Sequence, residues 1–114
     1  MEKPAQHPAK ITLKCLNVKT TLDVIGGKWK PLILFLLKDG RIMRFSELLK
    51  SIEGITQKML AEQLRELEKD GLVNRKAYPV IPPKVEYSMT EFGQTLIPIF
   101  ILMDQWARKY SPQK

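Results

Sequence analysis

Apolar residues recur with the spacing of helices along most of the chain, and they alternate with polar residues in one short stretch. Before residue 28 the pattern predicts a short helix, capped by Thr20 or Thr21, that ends at the glycine pair of residues 26–27. A second helix is expected over residues 29–38, with Pro31 tolerated in its first turn. Because this helix has little polar surface, we expect it to lie at the centre of the core.

The next segment carries the pattern of a short strand followed by two helices. Residues 41–44 fit a strand, and four apolar residues at helical spacing then predict a helix over residues 45–52. Residues 53–55, which include a glycine, break that period. Thr56 can cap a new helix over residues 56–70, which ends at an Asp-Gly pair. Two helices joined by a short glycine-containing turn are the arrangement that presents a second helix to a DNA groove.

After this helix the period changes from helical to alternating. Residues 72–78 look like a strand, and residues 84–89 alternate polar and apolar side chains as a second strand does. Between them, residues 79–83 contain three prolines, which remove three backbone donors and prevent regular sheet. The pattern therefore predicts a hairpin, here called the wing (residues 72–89), with a prominent proline-rich tip.

Together these elements predict a mostly helical α+β fold: a winged helix-turn-helix domain with a two-stranded wing and a long C-terminal dimerisation helix. The domain is expected to span residues 15–110, after a flexible N-terminal arm at residues 1–14 and before a tail at residues 111–114. A chain of 114 residues is long enough for one domain with a modest core.

The helix predicted over residues 56–70 has one apolar face and one face of polar and small residues. The polar face lies in the first half of the helix, the end that enters the major groove in helix-turn-helix proteins. Its residue types match base edges: arginine or lysine for guanine, glutamine for adenine, glutamate for cytosine and alanine for the thymine methyl group. The candidate base-reading residues are Thr56, Gln57, Lys58, Ala61, Glu62 and Arg65.

An ordinary solvated helix face is the alternative explanation of this composition, and the wing that follows weighs against it. Arg65 is open to two interpretations, a DNA contact or an ion pair with an acidic residue of its own helix. The acidic residues within reach are Glu62, Glu66 and Glu68. Candidate contacts to the DNA backbone lie outside this helix, at Lys28, Arg44, Pro82, Pro83 and Lys84.

The formal net charge of +7 and the isoelectric point near 9.6 favour an anionic partner, although solubility alone explains them equally well. Enzyme chemistry has little support, because His7 and Cys15 are isolated and no glycine-rich phosphate loop is present. We expect no catalysis, no cofactor and no metal site. Residues 96–103 are too few to span a bilayer, and residues 1–14 lack the apolar segment of a signal peptide. A cytoplasmic protein without membrane contact is expected.

The last helix, predicted over residues 91–110 with a cap at Thr90 and a bend at Pro98, is apolar on more than one side. Because a small domain can cover only one side, a second subunit is expected to cover the other. The alternative is full burial of the helix within a monomer. The candidate dimer residues are Phe92, Leu96, Ile99, Phe100, Met103 and Trp106.

Short motifs also follow one another in a specific order over nearly the whole chain. They are Cys15, T-L-D-V-I-G-G-K-W at 21–29, R-F-S-E-L at 44–48, G-I-T-Q-K-M-L at 54–60, Q-L-R-E-L-E-K-D-G-L-V at 63–73, P-P-K-V-E-Y-S-M-T at 82–90, and Gly93. With these motifs the chain resembles the HxlR-type winged helix-turn-helix regulators from Cys15 to Trp106. The resemblance implies a homodimer that binds an imperfect palindrome in duplex DNA, with the helix at Thr56 in the major groove and residues 79–84 on phosphate or the minor groove.

The same resemblance gives Cys15 a candidate role, because some relatives use a cysteine near the N-terminus to sense electrophiles or oxidants. Many of them follow it with proline, whereas Leu16 follows it here. Lys14, Lys19 and the start of the first helix favour the reactive thiolate. A small buried apolar residue is the alternative interpretation of this cysteine.

The sequence therefore predicts a transcription regulator that binds specific sites in double-stranded DNA. Two other classes of function stay open at this point. A winged-helix module can bind protein without specific DNA binding, because fold alone does not fix function. A cationic protein can also bind an anionic surface, although no basic amphipathic helix is evident.

Overall fold

The computed structural model describes residues 17–110, which form six helices and a three-stranded antiparallel sheet. The helices are α1 (Asn17–Ile25), α2 (Trp29–Leu36), α3 (Phe45–Ser51), α4 (Gln57–Lys69), α5 (Glu91–Gln94) and α6 (Ile97–Tyr110). The strands are β1 (Met43–Arg44), β2 (Val73–Tyr78) and β3 (Lys84–Met89). This arrangement confirms the predicted winged helix-turn-helix fold.

Helix α1 begins earlier than the sequence pattern predicted. It starts at Asn17, so Thr20 and Thr21, which were predicted as caps, lie inside the helix. The Lys19 amine donates to the Asp23 carboxylate at 2.7 Å, and this pair requires helical backbone on both sides of the two threonines. The helix ends as predicted at the glycine pair, where the second glycine has a positive φ of 78°.

Helix α2 lies at the centre of the core, as predicted. Ile33, Leu34 and Leu37, the last of which follows the helix, are completely shielded from solvent. The helix ends at Leu36 rather than at residue 38, because the chain already turns through Asp39 with a positive φ of 64°.

Helices α3 and α4 form the predicted helix-turn-helix. At the start of α3, the backbone N–H of Arg44 donates to the Glu47 carboxylate at 2.8 Å. At the start of α4, the Thr56 hydroxyl accepts the backbone N–H of Met59 at 3.1 Å, which confirms its predicted role as a cap. Each contact pairs an amide that the helix itself leaves without a partner, so the starts of both helices are fixed.

Helix α4 ends in a tight glycine cap. The Gly71 N–H donates to the Glu68 carbonyl at 3.0 Å, and the Leu72 N–H donates to the Leu67 carbonyl at 2.9 Å. Gly71 supplies the positive φ of 77° that this cap requires. Leu67 and Leu72 are both buried, so the cap leads the chain from α4 through the core and directly into β2.

The sheet has the strand order β1–β3–β2. The central strand β3 and the edge strand β2 form the predicted wing. Val73 lies opposite Met89 at the base of this hairpin. Both residues are buried, as is Tyr87, so one face of the hairpin packs against the helices. Residues 79–83 form the exposed tip between the two strands.

One threonine joins the end of α4, the end of the wing and the start of α5. The Thr90 hydroxyl donates to the Gly71 carbonyl at 2.7 Å and accepts the Gly93 N–H at 2.9 Å. The Thr90 N–H donates to the Leu72 carbonyl at 3.1 Å. Three elements therefore meet at one point, here called the Thr90 junction (Gly71, Leu72, Thr90 and Gly93).

The C-terminal segment contains a break where the sequence predicted one long helix bent at Pro98. The long C-terminal helix is present as α6, and Thr90 is the predicted cap, but the helix is not continuous from residue 91, because α5 ends at Gln94 and a turn at Thr95 and Leu96 precedes α6. The amides of this turn donate to carbonyls three residues earlier, both at 3.1 Å, which tightens the chain. Pro98 has no amide proton with which to continue a helix from α5, but it is tolerated in the first turn of a new one.

Among residues 17–110, no helix combines the length and apolar character that a bilayer crossing requires.

Candidate nucleic-acid interface

The apolar and polar faces of α4 separate as the sequence predicted. Leu60, Leu64 and Leu67 are buried, whereas Met59 is only half-buried. On the opposite side, the exposed residues are Gln57, Lys58 and Arg65. Since Thr56 fixes the first turn, this polar face begins at a defined point beside the helix-turn-helix loop.

Ala61 and Glu62 complete the predicted base-reading face, and both are half-buried. Ala61 lines a surface depression of about 400 Å³ between α4 and the wing. The other residues that line the depression are Leu64, Arg65, Glu68, Arg75 and Tyr87. The predicted base-reading face of α4 is therefore continuous with the base of the wing.

Arg65 does not form the ion pairs that sequence reasoning left open. Within residues 17–110, no ion pair joins it to another side chain. Glu66, one of the three candidate partners, is instead bound by Lys30. The guanidinium of Arg65 is thus exposed and available to an anion.

Arg75 of β2 borders the same depression, and sequence reasoning missed it. The register pairs it with Tyr87, whose side chain is buried, so Arg75 points to the face of the sheet that packs on α4. A signal was present in the sequence, because an arginine two residues after Val73 falls on the inward side of an alternating strand. The structure thus adds a second arginine beside the polar face of α4.

A buried lysine of α2 holds α4 from behind. The Lys30 side chain is only 8% exposed, and its amine lies 2.5 Å from the carboxylate of Glu66, which is 56% exposed. This hydrogen bond and the charge of Lys30 hold the pKa of Glu66 below its usual value. Because burial removes most of the water around the ammonium, the carboxylate replaces that water. The pair ties α4 to the central helix of the core.

Removal of Glu66 should destabilise the protein more than removal of Lys30. Glu66→Ala leaves a buried ammonium without its partner, whereas Lys30→Met leaves only an exposed carboxylate. We expect the thermal midpoint of Glu66→Ala to fall by about 4 °C or more, and the double variant to recover part of that loss. The stabilisation should be present at neutral pH and should disappear as the pH falls through the lowered pKa of Glu66. Glu68→Ala is the control, because it removes an exposed carboxylate from the same helix. Equal thermal midpoints for Glu66→Ala and Glu68→Ala would contradict the role of the Lys30–Glu66 pair.

The predicted backbone contacts Lys28 and Arg44 are both exposed at helix starts. The Lys28 amine lies 4.6 Å from the ring centroid of Trp29. That ring lies next to Gly54 in the turn of the helix-turn-helix, because a Cβ added at Gly54 would lie 3.9 Å from it. Arg44 precedes α3 and is paired across the sheet with Glu86. Lys28 therefore lies near the start of α4, and Arg44 lies on the polar face of the sheet.

The outer face of the wing carries its own small network. The Tyr78 hydroxyl donates to the Glu86 carboxylate at 2.9 Å, and this bond, helped by the charges of Lys84 and Arg44, holds the pKa of Glu86 below its usual value. The Lys84 amine lies 3.4 Å from Glu86 and 4.6 Å from the ring centroid of Tyr78. Lys84 is thus held within the wing, just below the exposed prolines at positions 82 and 83.

Four of the six predicted dimer residues are exposed in the protomer: Phe92, Ile99, Met103 and Trp106. The other two, Leu96 and Phe100, pack on the core of their own subunit, so little of their surface is left for a partner. Beside them, an apolar groove of about 390 Å³ runs between α2 and α6. The residues lining it are Pro31, Leu32, Phe35, Phe100, Met103, Asp104 and Arg108.

Cys15, the candidate sensor, lies outside the described residues.

A capped helix with a polar outer face, a preceding helix and a wing beside it define the class of winged helix-turn-helix proteins. The chain matches the family model described as HxlR-like helix-turn-helix over residues 24–114. It is 56% identical over 93 residues to the HTH-type transcriptional regulator YdeP of Bacillus subtilis. This match covers 82% of this chain and 72% of YdeP. The chain therefore belongs to the HxlR-like helix-turn-helix family, and relatives such as YdeP and YybR of B. subtilis are named as HTH-type transcriptional regulators.

Two solved structures resemble the chain closely. The redox regulator HypR in its oxidised form is 50% identical, with a TM-score of 0.77, and the match covers 86% of this chain and 100% of the HypR chain. The reduced form of the transcriptional regulator YodB from B. subtilis is 37% identical, with a TM-score of 0.73, and the match covers 90% of this chain and 96% of YodB. Both structures share the winged-helix architecture described above.

Proposed function

We propose that the chain acts in the cytoplasm as a homodimeric transcription regulator that binds a palindromic operator in duplex DNA. The observation that carries the proposal is the exposed polar face at the start of α4, which is fixed by a cap and continuous with the wing. In helix-turn-helix proteins this part of the second helix enters the major groove. The residues proposed to contact base edges are Gln57, Lys58, Ala61, Glu62 and Arg65.

The end of α4 supports this orientation. Its last turn carries Glu66 and Glu68, and Asp70 follows the helix; these carboxylates would repel phosphate if they lay in the groove. Lys30 draws Glu66 back toward α2. The acidic end of α4 is therefore directed away from DNA, and the first turns of the helix, which carry Gln57 and Lys58, would enter the groove.

Contacts to the DNA backbone are proposed for residues around this helix. Lys28 lies near the loop that precedes α4, and Arg75 lies beside Arg65 at the base of the wing. Lys84 and the prolines at positions 82 and 83 belong to the wing and its tip, and Arg44 belongs to the adjoining strand. Such contacts orient a protein on the duplex but carry little sequence information.

A change at the groove-entering end of α4 should alter sequence preference, whereas a change in the wing should weaken binding to every sequence. We expect Lys58→Ala to lose about 1–3 kcal/mol on a selected site and little on random DNA. Lys84→Ala and Arg75→Ala should weaken both and reduce the slope of log affinity against log salt by about one each. The affinities are measured by titrating each variant with two duplexes, one selected from genomic fragments and one of random sequence. Each titration is repeated at several salt concentrations, which gives the slope of log affinity against log salt.

Lys69→Ala is the matched control, because it removes the same charge from the far end of the same helix. Equal losses for Lys58→Ala and Lys84→Ala on both duplexes would refute the division of roles. If the wild-type protein has no salt-dependent affinity for any duplex, the chain is a protein-interaction module instead. Binding to anionic vesicles without duplex binding would indicate a surface-binding protein.

We also propose that Cys15 responds to oxidants or electrophiles. What supports this is the likeness to HypR, which is described as a redox regulator, and the lysines on both sides of the cysteine in the sequence. The chain has one cysteine, so a disulfide has to join two subunits or capture a small thiol. When two subunits are joined, two thiols lose two protons and two electrons to the oxidant as one sulfur–sulfur bond forms.

Oxidation should change operator affinity in the wild-type protein but not in Cys15→Ser. We expect diamide to produce a crosslinked dimer and to shift operator affinity about tenfold, and a reducing thiol to reverse both changes. Gel electrophoresis without reductant and a duplex titration measure the two effects. Crosslinking at Cys15 with unchanged operator affinity, or a thiol that diamide cannot modify in the folded dimer, would rule out the sensor role.

A further inference from the structure

The wing ends in five consecutive apolar residues, and all of them are exposed. They are Pro79, Val80, Ile81, Pro82 and Pro83. The Val80 side chain is 50% exposed, and Ile81 is 100% exposed, the largest value among the large hydrophobic residues of the described chain. A single exposed apolar residue needs no explanation, but a continuous apolar tip on a projecting hairpin indicates a surface that meets a partner.

The tip is also held in one shape. Three of its five residues are prolines, whose rings fix φ. The Val80 N–H donates to the Tyr78 carbonyl at 2.9 Å, which closes the first part of the turn. Little conformational entropy is therefore left to lose when Ile81 contacts a partner.

Directly below the apolar tip, the wing is cationic. The amines of Lys76 and Lys84 lie 5.2 and 4.6 Å from the ring centroid of Tyr78. Glu86 is the one acidic side chain that contacts this group among the described residues. A partner of matching chemistry has an apolar interior between two lines of negative charge. The minor groove of duplex DNA has this arrangement, with stacked bases between two phosphate backbones.

The family resemblance already implies that residues 79–84 lie on phosphate or in the minor groove; we propose in addition that Ile81, at the exposed tip, acts as an apolar wedge against a base-pair step. This inference rests on the proposed DNA-binding function and adds a source of sequence preference. The bases next to the wedge must partly unstack, and pyrimidine–purine steps such as TA do so most easily. Operators are therefore expected to carry such a step beneath the wing, and the duplex bends away from it, toward the major groove.

The test uses the full-length protein and the duplex selected from genomic fragments. A single TA step is moved along otherwise G·C-rich flanks, and 2-aminopurine beside the step reports unstacking. We expect the wild-type protein to prefer one position of the step and to raise the fluorescence there. Ile81→Ala should bind that duplex about tenfold more weakly, which corresponds to about 1.4 kcal/mol, and should raise no fluorescence.

The control is Ile42→Ala, which trims another exposed isoleucine outside the wing. Since Ile81 is fully exposed, Ile81→Ala should keep the wild-type melting temperature. If Ile81→Ala binds within twofold of wild type at every position of the step, the wedge is disproved. A changed oligomeric state or lost vesicle binding in Ile81→Ala, with DNA binding intact, would disprove it as well, because the tip would then serve another partner. If the wild-type protein does not distinguish the selected duplex from a random one, the proposed function itself fails.

Discussion

Gly93→Ala is expected to destabilise the domain by about 3 kcal/mol, because the added methyl group has no space. A Cβ at this position would lie 2.3 Å from the Leu72 carbonyl oxygen and 2.6 Å from Cγ of Met89. The carbonyl cannot move freely, since it accepts the Thr90 N–H at 3.1 Å. The N–H of Leu72 is also bound, by the Leu67 carbonyl that closes α4. A shift that relieves the clash therefore disturbs the cap of α4 or the end of the wing.

Urea unfolding of the wild-type protein and the variant measures this loss. Gly27→Ala separates the clash from the general effect of replacing glycine, because Gly27 has a positive φ of 78° and a Cβ there would contact nothing within 4 Å. We expect Gly27→Ala to lose only about 1–2 kcal/mol, from backbone strain. Equal losses at the two positions would show that the junction tolerates the methyl group.

The second large effect is expected on assembly. A double change of Met103 and Trp106 to aspartate places two charges on the exposed side of α6, where the side chains are 52% and 63% exposed. Charges in a desolvated interface without partners are costly, so the proposed dimer should dissociate. Since a dimer binds two half-sites at once, its loss should weaken binding to the selected palindrome at least about 100-fold.

Light scattering at micromolar concentration and titration of the selected duplex measure the two consequences. Ile42→Asp introduces the same chemistry at an exposed apolar residue outside α6 and serves as the control. The helical circular dichroism of the double variant should match that of the wild type, because neither side chain belongs to the buried core. A double variant that stays dimeric would show that α6 does not form the interface.

The helix-turn-helix and the wing could be predicted because their signals are local. Thr56, the glycine at the end of α4 and the prolines of residues 79–83 each fix the backbone within a few residues of themselves. The start of α1 differs from the predicted cap at Thr20 or Thr21, because threonine can either cap a helix or lie inside one. Only the pairing of Lys19 with Asp23 distinguishes the two cases, and that pair exists once the helix is already formed.

The contacts that complete the site join elements distant in sequence, which no local pattern encodes. Lys30 and Glu66 meet only because α2 packs against α4, and Arg75 reaches the polar face of α4 only through the register of the hairpin. The burial of Phe100 is a further case. Its apolar character was evident, but the choice between the core of its own subunit and a second subunit depends on how the turn before α6 directs that helix.

The Thr90 junction also determines how a signal could pass through the domain. It fastens the end of α4 to the wing and to α5, and only two residues separate α5 from α6. A displacement of α6 would therefore reach α4 and the wing, the two elements proposed to face DNA, together as a single switch. Thermodynamic linkage then demands reciprocity: an effector that weakens operator binding tenfold is itself bound tenfold more weakly by the operator complex. A regulator of the proposed kind would thus respond less readily to such an effector while it is bound to an operator than while it is free.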